Sequence, residues 1–426
     1  MAHASSRAAA GSPHWRASLV AVCIAQATAI VGFDFTLPFV PLYLQHDLGV
    51  HGLGQTALWS GLIGFGPAIP ATIFGPIWGR LADRVGYRFM LLRAMTSAAV
   101  LLALMGAASS PWMLLVLRMV QGSLTGTVFA AQALVAASVP EEETGRSMGL
   151  LQMSVSLGAT LGPVGGGAAA VLLGYRAPFV GAGVLLGLAT AVVYLFVREP
   201  ERRTVERQAR EKRPSIRAVL FIPAFAAVVF LTLAVQLAAT SLLPIIPLFV
   251  QDLLHSSREV AAYTGWVMAM SGIASAAGAY LAGRLQRHLP VKPLLMISIA
   301  LAALLLFPQA YAGNFVVFLA LRSVASLAFG SVFGLVGVWA ATASPPDSKG
   351  TAFGLMGAAS SMGFGAGPLL GGIAAAGLGI RPVFVLAAIV LGAIPFTVLL
   401  GTVIVPRLRD LVAGSARLGR TALGRR

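Results

Sequence analysis

Twelve apolar runs, each near the ~20 residues that a helix needs to cross a bilayer, divide this chain. They fall at about 17 to 43, 57 to 78, 89 to 108, 112 to 137, 147 to 173 and 178 to 197, then at 219 to 249, 261 to 283, 293 to 312, 315 to 342, 350 to 376 and 382 to 405. Short polar stretches separate them. The single long hydrophilic run, Arg198 to Arg217, lies between the sixth and seventh. The pattern predicts twelve helices in two sets of six.

The two sets are copies. The string G-x-x-x-G-P-x-x-G-G occurs as Gly158, Gly162, Pro163, Gly166, Gly167 and again as Gly363, Gly367, Pro368, Gly371, Gly372, an offset of 205 residues. Arg118 recurs as Arg322 and Gly79-Arg80-Leu81 as Gly283-Arg284-Leu285, both at 204, and LPFVPLYLQ from Leu37 recurs as LPIIPLFVQ from Leu243, at 206. Matches in the same order at one spacing mark a tandem duplication of a domain-sized unit. Each Gly-x-x-x-Gly row leaves a groove in which a neighbouring helix can approach to backbone contact. Pro163 and Pro368 each remove a backbone hydrogen bond and are expected to bend their helices.

Composition agrees with the pattern: 58% hydrophobic and 10% charged residues exclude a water-soluble chain of this length. A net charge of +16 would suggest nucleic acid in a soluble protein, but its placement points elsewhere. With both termini cytoplasmic, 25 of the 30 Lys and Arg fall on the inner side and only Arg176, Arg258 and Arg381 on the outer. The positive-inside rule therefore sets the orientation and no nucleic-acid partner is expected. The expected organisation is a cytoplasmic N-terminus at 1–16, a six-helix bundle at 17–197, a cytoplasmic linker at 198–218, a second bundle at 219–405 and a basic cytoplasmic tail at 406–426. Cys23 is the sole cysteine and the six histidines are dispersed outside the spans, so no disulfide or metal cluster is expected. No phosphate-binding G-x-x-x-x-G-K-[ST] loop occurs, so the expected drive is a proton gradient, with no bound cofactor.

Several segments resemble the major facilitator superfamily. Gly79-Arg80-Leu81-Ala82-Asp83-Arg84-Val85-Gly86-Tyr87-Arg88 is similar to the family's loop signature between helices two and three, departing from it at Tyr87. Arg118, Gln121, Gly122 and Gly126 match its fourth-helix motif, and the string from Gly158 to Gly167 its fifth-helix antiporter motif. PFVPLYLQHDLGV and WGRLADRVGYRFMLLR carry a closer likeness to the twelve-helix drug:proton antiporters, in particular the MdtG-like multidrug exporters. The resemblance implies an all-α integral membrane fold, twelve transmembrane helices in two pseudo-symmetric six-helix bundles that alternate around a central cavity. It also implies a cytoplasmic gate formed by Gly79, Asp83, Arg84, Gly86 and Arg88, with the Asp83 carboxylate capping the eleventh helix. The copy of Asp83 is Arg287, so this gate is expected in the first half alone.

Asp34, Arg118 and Arg322 lie within predicted spans. Each costs about 2.5–3.5 kcal/mol at mid-bilayer on insertion scales, which calls for internal partners or a wet cavity. Asp34, in GFDFTLP, is the only acid in a span. Desolvation favours the neutral form of a carboxyl group, so Asp34 is the candidate proton carrier, with Arg118 tuning it. MdtG-like sequences often lack this acid, whereas some other drug:proton antiporters carry one in this helix. Arg118, Gln121, Gly122, Thr125, Phe129 and Gln132 recur at three- and four-residue steps, a stripe expected to face the cavity. Arg322, Phe329 and Phe333 form its counterpart, and Gln26, Phe33, Gln236 and Thr240 complete the candidate cavity set. One acid amid aromatic rings favours lipophilic cations. The expected function is proton-driven export of small lipophilic compounds across the inner membrane by a monomer. A sugar or metabolite transporter of the same fold is the alternative, with a membrane enzyme or sensor further off.

Overall fold

The computed structural model describes residues 15–124, 126–140, 143–198, 223–254, 259–343 and 349–399. Thr125, nearly all of the expected linker, the tails, and the side chains of Gly79, Asp83 and Phe129 lie outside the described residues.

All regular structure among the described residues is helical. The first span is α1 (Trp15–Thr36), continued through a 3-10 turn at Leu37–Phe39 into α2 (Val40–His46). Then follow α3 (Leu53–Phe65), α4 (Ala68–Val85), α5 (Tyr87–Gly106), α6 (Pro111–Leu124), α7 (Thr127–Ser138), α8 (Thr144–Leu173) and α9 (Ala177–Phe196). The second half contains α10 (Pro223–Ser241), α11 (Ile245–Leu254), α12 (Val260–Leu285), α13 (Val291–Gln309), α14 (Phe315–Ala343), α15 (Lys349–Leu378) and α16 (Ile380–Leu399). Ten of these stretches are long and apolar enough by themselves to cross a membrane. The other two expected spans correspond to α6 with α7 and to α16. Trp15 and Leu399 share one end of the bundle, the terminal end; the turns at 107–110, 174–176, 310–314 and 379 share the distal end.

Burial follows the duplication. One core gathers first-half residues such as Leu19, Met95, Leu102, Phe179 and Leu186. The other is built on Phe249, Phe318 and Phe384 and also takes in Phe39, Leu42, Ala57 and Ala170 from the first half. Large apolar side chains such as Leu188 and Leu304 stand on the outside. Water would penalise that arrangement and lipid does not.

One expectation changes. The fourth span is not one helix: it stops at Leu124 and resumes at Thr127, with Gly126 at φ +133°, where glycine is favoured. The stripe from Arg118 to Gln132 is therefore cut, because the break resets the helical register between its two ends. The helices α8 and α15 are continuous through Pro163 and Pro368. Apart from the matching turns between α1 and α2 and between α10 and α11, α3 and α4 meet at Gly66 and Pro67, which keep helical dihedrals so that the two form one span, and α6 and α7 are parted between Leu124 and Gly126. Their repeat counterparts lie within the continuous α12 and α14.

Candidate translocation site

The duplicated glycine strings do the same work twice. On α8, a methyl group built at Gly158 would lie 2.6 Å from Ala27 O and one at Gly162 2.7 Å from Asp34 Cβ, while Gly166 abuts Phe35 O. On α15, one at Gly363 would lie 2.8 Å from Gln236 Cβ, Gly367 abuts the Thr240 hydroxyl, and Gly371 abuts Ser241 O. Only hydrogen at Cα permits backbone approach of this kind. Each string thus clamps its own half's first helix, and Asp34 and Thr240 occupy equivalent places beside equivalent glycines.

The opposite faces of the same helices form the seam between halves. A methyl group on Gly167 would meet Ala261 O at 3.0 Å and one on Gly272 would meet Thr160 Cγ2 at 2.9 Å, joining α8 to α12. A methyl group on Gly61 would meet Pro368 O at 2.5 Å and one on Gly54 would meet Ala376 Cα at 3.3 Å, and Gly372 abuts Ala57 O, joining α3 to α15. Apart from Gly272 with Thr160, which meet at mid-helix, these contacts lie toward the distal end. A gap of about 30 Å³ bounded by Pro41, Ser60, Gly64, Leu243, Phe364 and Pro368 lies in the distal seam. It holds roughly one or two waters and no organic solute. The distal end is closed.

A larger cavity, about 260 Å³, lies in the second half, bounded by Thr232, Val235, Gln236, Phe333, Val336, Met356 and Ser360 from α10, α14 and α15. Its walls are apolar, with Gln236 as the amide and Thr232 and Ser360 as hydroxyls, and no charged side chain lines it. Two of the candidate cavity residues, Gln236 and Phe333, are present here. The Thr240 hydroxyl is buried and donates to Gln236 O at 2.8 Å and Gly363 O at 3.0 Å, so it bridges α10 and α15. Phe329 and Gln26 are buried and Phe33 packs against the first-half core. Replacing Phe333, which is 45% exposed, with Ala is expected to weaken the apparent affinity for a solute held in this cavity by about tenfold, the effect of losing one aromatic wall. A competition-transport titration measures it.

Asp34 is half-buried, and no ion pair or hydrogen bond to it occurs among the described residues. Arg118 is buried and its Nη1 donates to Gln121 Oε1 at 3.1 Å, which places its direct partner on its own helix. Its Nε and Nη2, and Nε and Nη1 of Arg322, are buried without a partner among the described residues. In the loop signature Arg84 is exposed, Gly86 takes φ +105° to join α4 to α5, and Arg88 Nη2 donates to Tyr194 O at 2.6 Å.

Two features escape motif reading. Arg176 donates to Asp47 at 2.9 Å and to Gly106 O at 3.3 Å and lies 5.9 Å from the Tyr43 ring. Arg381 repeats this with Asp252 at 3.0 Å, Ala310 O at 3.3 Å and the Phe249 ring at 5.4 Å. The repeat register carries both, since Asp47 and Asp252 stand 205 residues apart, as do Arg176 and Arg381. The hydrogen bond it donates to the Asp47 carboxylate holds the Arg176 guanidinium above its ordinary range. Both arginines are about half exposed, so each pair is worth about 1 kcal/mol or less. Arg176→Gln is accordingly expected to lower the unfolding temperature of the detergent-solubilised protein by no more than about 3 °C. The second feature is Arg93, which stands inside α5, 3.8 Å from the Trp78 ring.

Residues 22–263 and 228–420 match the family model described as Major Facilitator Superfamily. The chain is 30% identical over 378 residues to the multidrug resistance protein MdtG of Enterobacter lignolyticus (strain SCF1), covering 88% of this chain and 90% of that one. It is also 30% identical over 383 residues to MdtG of Salmonella choleraesuis (strain SC-B67), covering 88% and 93%. Among solved structures it resembles a bacterial homologue of the human lysosomal transporter Spinster, captured inward-facing and occupied, at TM-score 0.77 and 17% identity over 92% of this chain and 98% of that one. The human organic anion transporter MFSD10 aligns at TM-score 0.66 and 18% identity over 90% and 99%. With two glycine-clamped six-helix halves meeting at a closed distal seam, this chain is a multi-pass inner-membrane transporter of the major facilitator superfamily.

Proposed function

We propose that the protein exports small lipophilic compounds, cationic ones among them, in exchange for protons, working as a monomer. The observation that carries this is the pairing of Asp34 with Gly162. A carboxyl group without an ion-pair partner among the described residues sits against the antiporter glycines of the first half, where the second half has a hydroxyl tied to backbone carbonyls. A carboxyl so placed can take a proton and release it as the seam beside it opens and closes. The apolar cavity along α10, α14 and α15 suits the uncharged body of such a substrate. A cationic group on it would be drawn to ionised Asp34, so that proton and substrate compete for one acid. The kinship with MdtG multidrug resistance proteins supports the same reading.

With the terminal end cytoplasmic, as the distribution of Lys and Arg implies, the closed distal seam corresponds to a cavity open to the cytoplasm. The protein loads substrate in this state. The resemblance of the loop signature to the family's gate then gives Asp83, at the terminal end of α4, the role of holding the opposite, outward-open state.

The test is purified protein in liposomes under an imposed pH gradient, with tetraphenylphosphonium and an uncharged lipophilic dye as probes. Proton and probe moving in opposite directions, with the probe accumulating against its gradient, supports the proposal. Movement in the same direction assigns the protein to symport instead.

A further inference from the structure

The contacts between α8 and α12 set a register that can be followed from the distal end to the terminal one. The two helices run antiparallel, and a methyl group on Gly265 would lie 3.5 Å from Pro163 O and one on Gly272 2.9 Å from Thr160 Cγ2. Each helix rises about 1.5 Å per residue, so equal counts along both reach the same level. Counting 20 residues from the first contact toward the terminal end sets Glu143 level with Leu285, and counting 17 from the second sets it level with Leu289. Arg287 lies midway between. The chain keeps to a helical path that far, since Arg287 N donates to Arg284 O at 3.2 Å and Leu289 N to Leu285 O at 2.9 Å.

The charges at that level are opposite. Glu143 immediately precedes α8, and its side chain does not cap that helix. Arg287 is exposed and has no ion pair among the described residues. An arginine brought to a bare helix start would face the positive pole of the helix; a carboxylate at that point makes the approach favourable. In the other seam the polarity is exchanged. A methyl group on Gly64 would lie 2.9 Å from Pro368 Cβ, and 19 residues onward from Gly64 and back from Pro368 set Asp83 level with Lys349, the first residue of α15. Asp83 and its copy Arg287 thus each come level with a residue of opposite charge at the start of the facing helix.

We propose that Arg287 and Glu143 form an ion pair across the seam when the terminal end closes, a second lock between the halves that complements the Asp83 gate with its charges reversed. With the distal end shut, as here, Arg287 is left to solvent. The inference rests on the alternation of the two halves and not on proton antiport.

Crosslinking tests the proximity. Glu143→Cys with Arg287→Cys, in the full chain carrying Cys23→Ala and kept in native membranes, is expected to be joined by o-phenylenedimaleimide at least about tenfold faster than Glu143→Cys with Leu281→Cys, whose second site is also exposed but lies about 9 Å back along α12. Charge reversal tests the state. In a Cys23→Ala chain with Ser60→Cys as a reporter in the distal seam, Arg287→Glu is expected to lower labelling by a membrane-impermeant thiosulfonate from the distal side about fivefold, the upper end for one exposed ion pair. Adding Glu143→Arg restores it. Crosslinking needs no reversed charge, so it decides even where Arg287→Glu folds poorly. Equal crosslinking of the two pairs overturns the proposal, as does a labelling loss that Glu143→Arg leaves unrepaired, the result expected of an arginine held by lipid headgroups. Neither readout depends on proton movement, so the lock can stand where antiport fails.

Discussion

Asp34→Asn is expected to abolish accumulation against a gradient while leaving downhill movement of the same probe in place. Asparagine reproduces the size and polarity of the protonated acid but cannot cycle between charge states, so the halves can still exchange without proton release. Glycine packing next to the site should be preserved, because Gly162 meets the β-carbon of residue 34, which both side chains share. Uphill transport is expected to fall at least about tenfold, corresponding to ~1.4 kcal/mol lost from the coupled step, with Asp34→Glu retaining part of it. Proton flux and probe flux recorded together in liposomes decide the question. Uphill export by Asp34→Asn with the wild-type proton stoichiometry would remove Asp34 from the mechanism.

Gly61→Leu is expected to be equally damaging for a different reason. A single added methyl group would already lie 2.5 Å from Pro368 O and 3.1 Å from Leu369 Cα. Backbone cannot retreat as a flexible side chain would, so a leucine there must push α3 away from α15 and hold the distal seam apart. Overpacking of this kind costs about 1–3 kcal/mol, and it is charged against one state of the transporter only. Because the halves keep largely separate cores, the protein should still fold and run as a monodisperse species. A cysteine at Ser60, which is buried in the closed seam, should then react with a membrane-impermeant thiosulfonate from the distal side at least about tenfold faster in the Gly61→Leu background. Transport should be lost. Gly166→Leu provides the contrast: it separates α1 from α8 inside one half, where Gly166 abuts Phe35 O, and is expected to reduce the yield of folded protein. Wild-type transport by Gly61→Leu would show that the seam does not need to close.

Much of this was legible without coordinates, for a reason specific to duplicated membrane proteins. The bilayer compels long apolar runs, so spans can be counted by eye, and an internal repeat aligns the chain with itself. Asp34 opposite Thr240 and Gly162 opposite Gly367 could be paired from offsets alone, and the structure sets them in the same relation. The Asp47–Arg176 and Asp252–Arg381 pairs were legible by the same route but carry no motif. What could not be read was which polar groups face one another. Arg118 and Thr240 both fall on polar positions of cavity-forming spans, yet one pairs with Gln121 on its own helix and the other is tied to Gly363 O. Periodicity places a side chain on a face; it does not say whether that face meets a cavity or another helix. Arg93 lies so near the start of its span that, from sequence, it counts among the loop charges. Only the approach of the α6 terminus gives it a partner inside the bundle.

Sequence alone determined the class of protein, its duplication and the asymmetry of its ionisable groups, because hydrophobic span length and repeat register are one-dimensional properties. Tertiary structure alone decided where a span is interrupted and which end is shut. The prolines of α8 and α15 mark no break, while Gly126 ends a helix although its copy Gly330 lies within one. The difference lies in the neighbours: carbonyls released at Leu124 are met by Trp78 and Arg93, and the apolar Ala282 and Ile297 offer their counterparts nothing. A break inside a membrane persists only where other helices satisfy the freed backbone, and that condition is a property of the packed bundle.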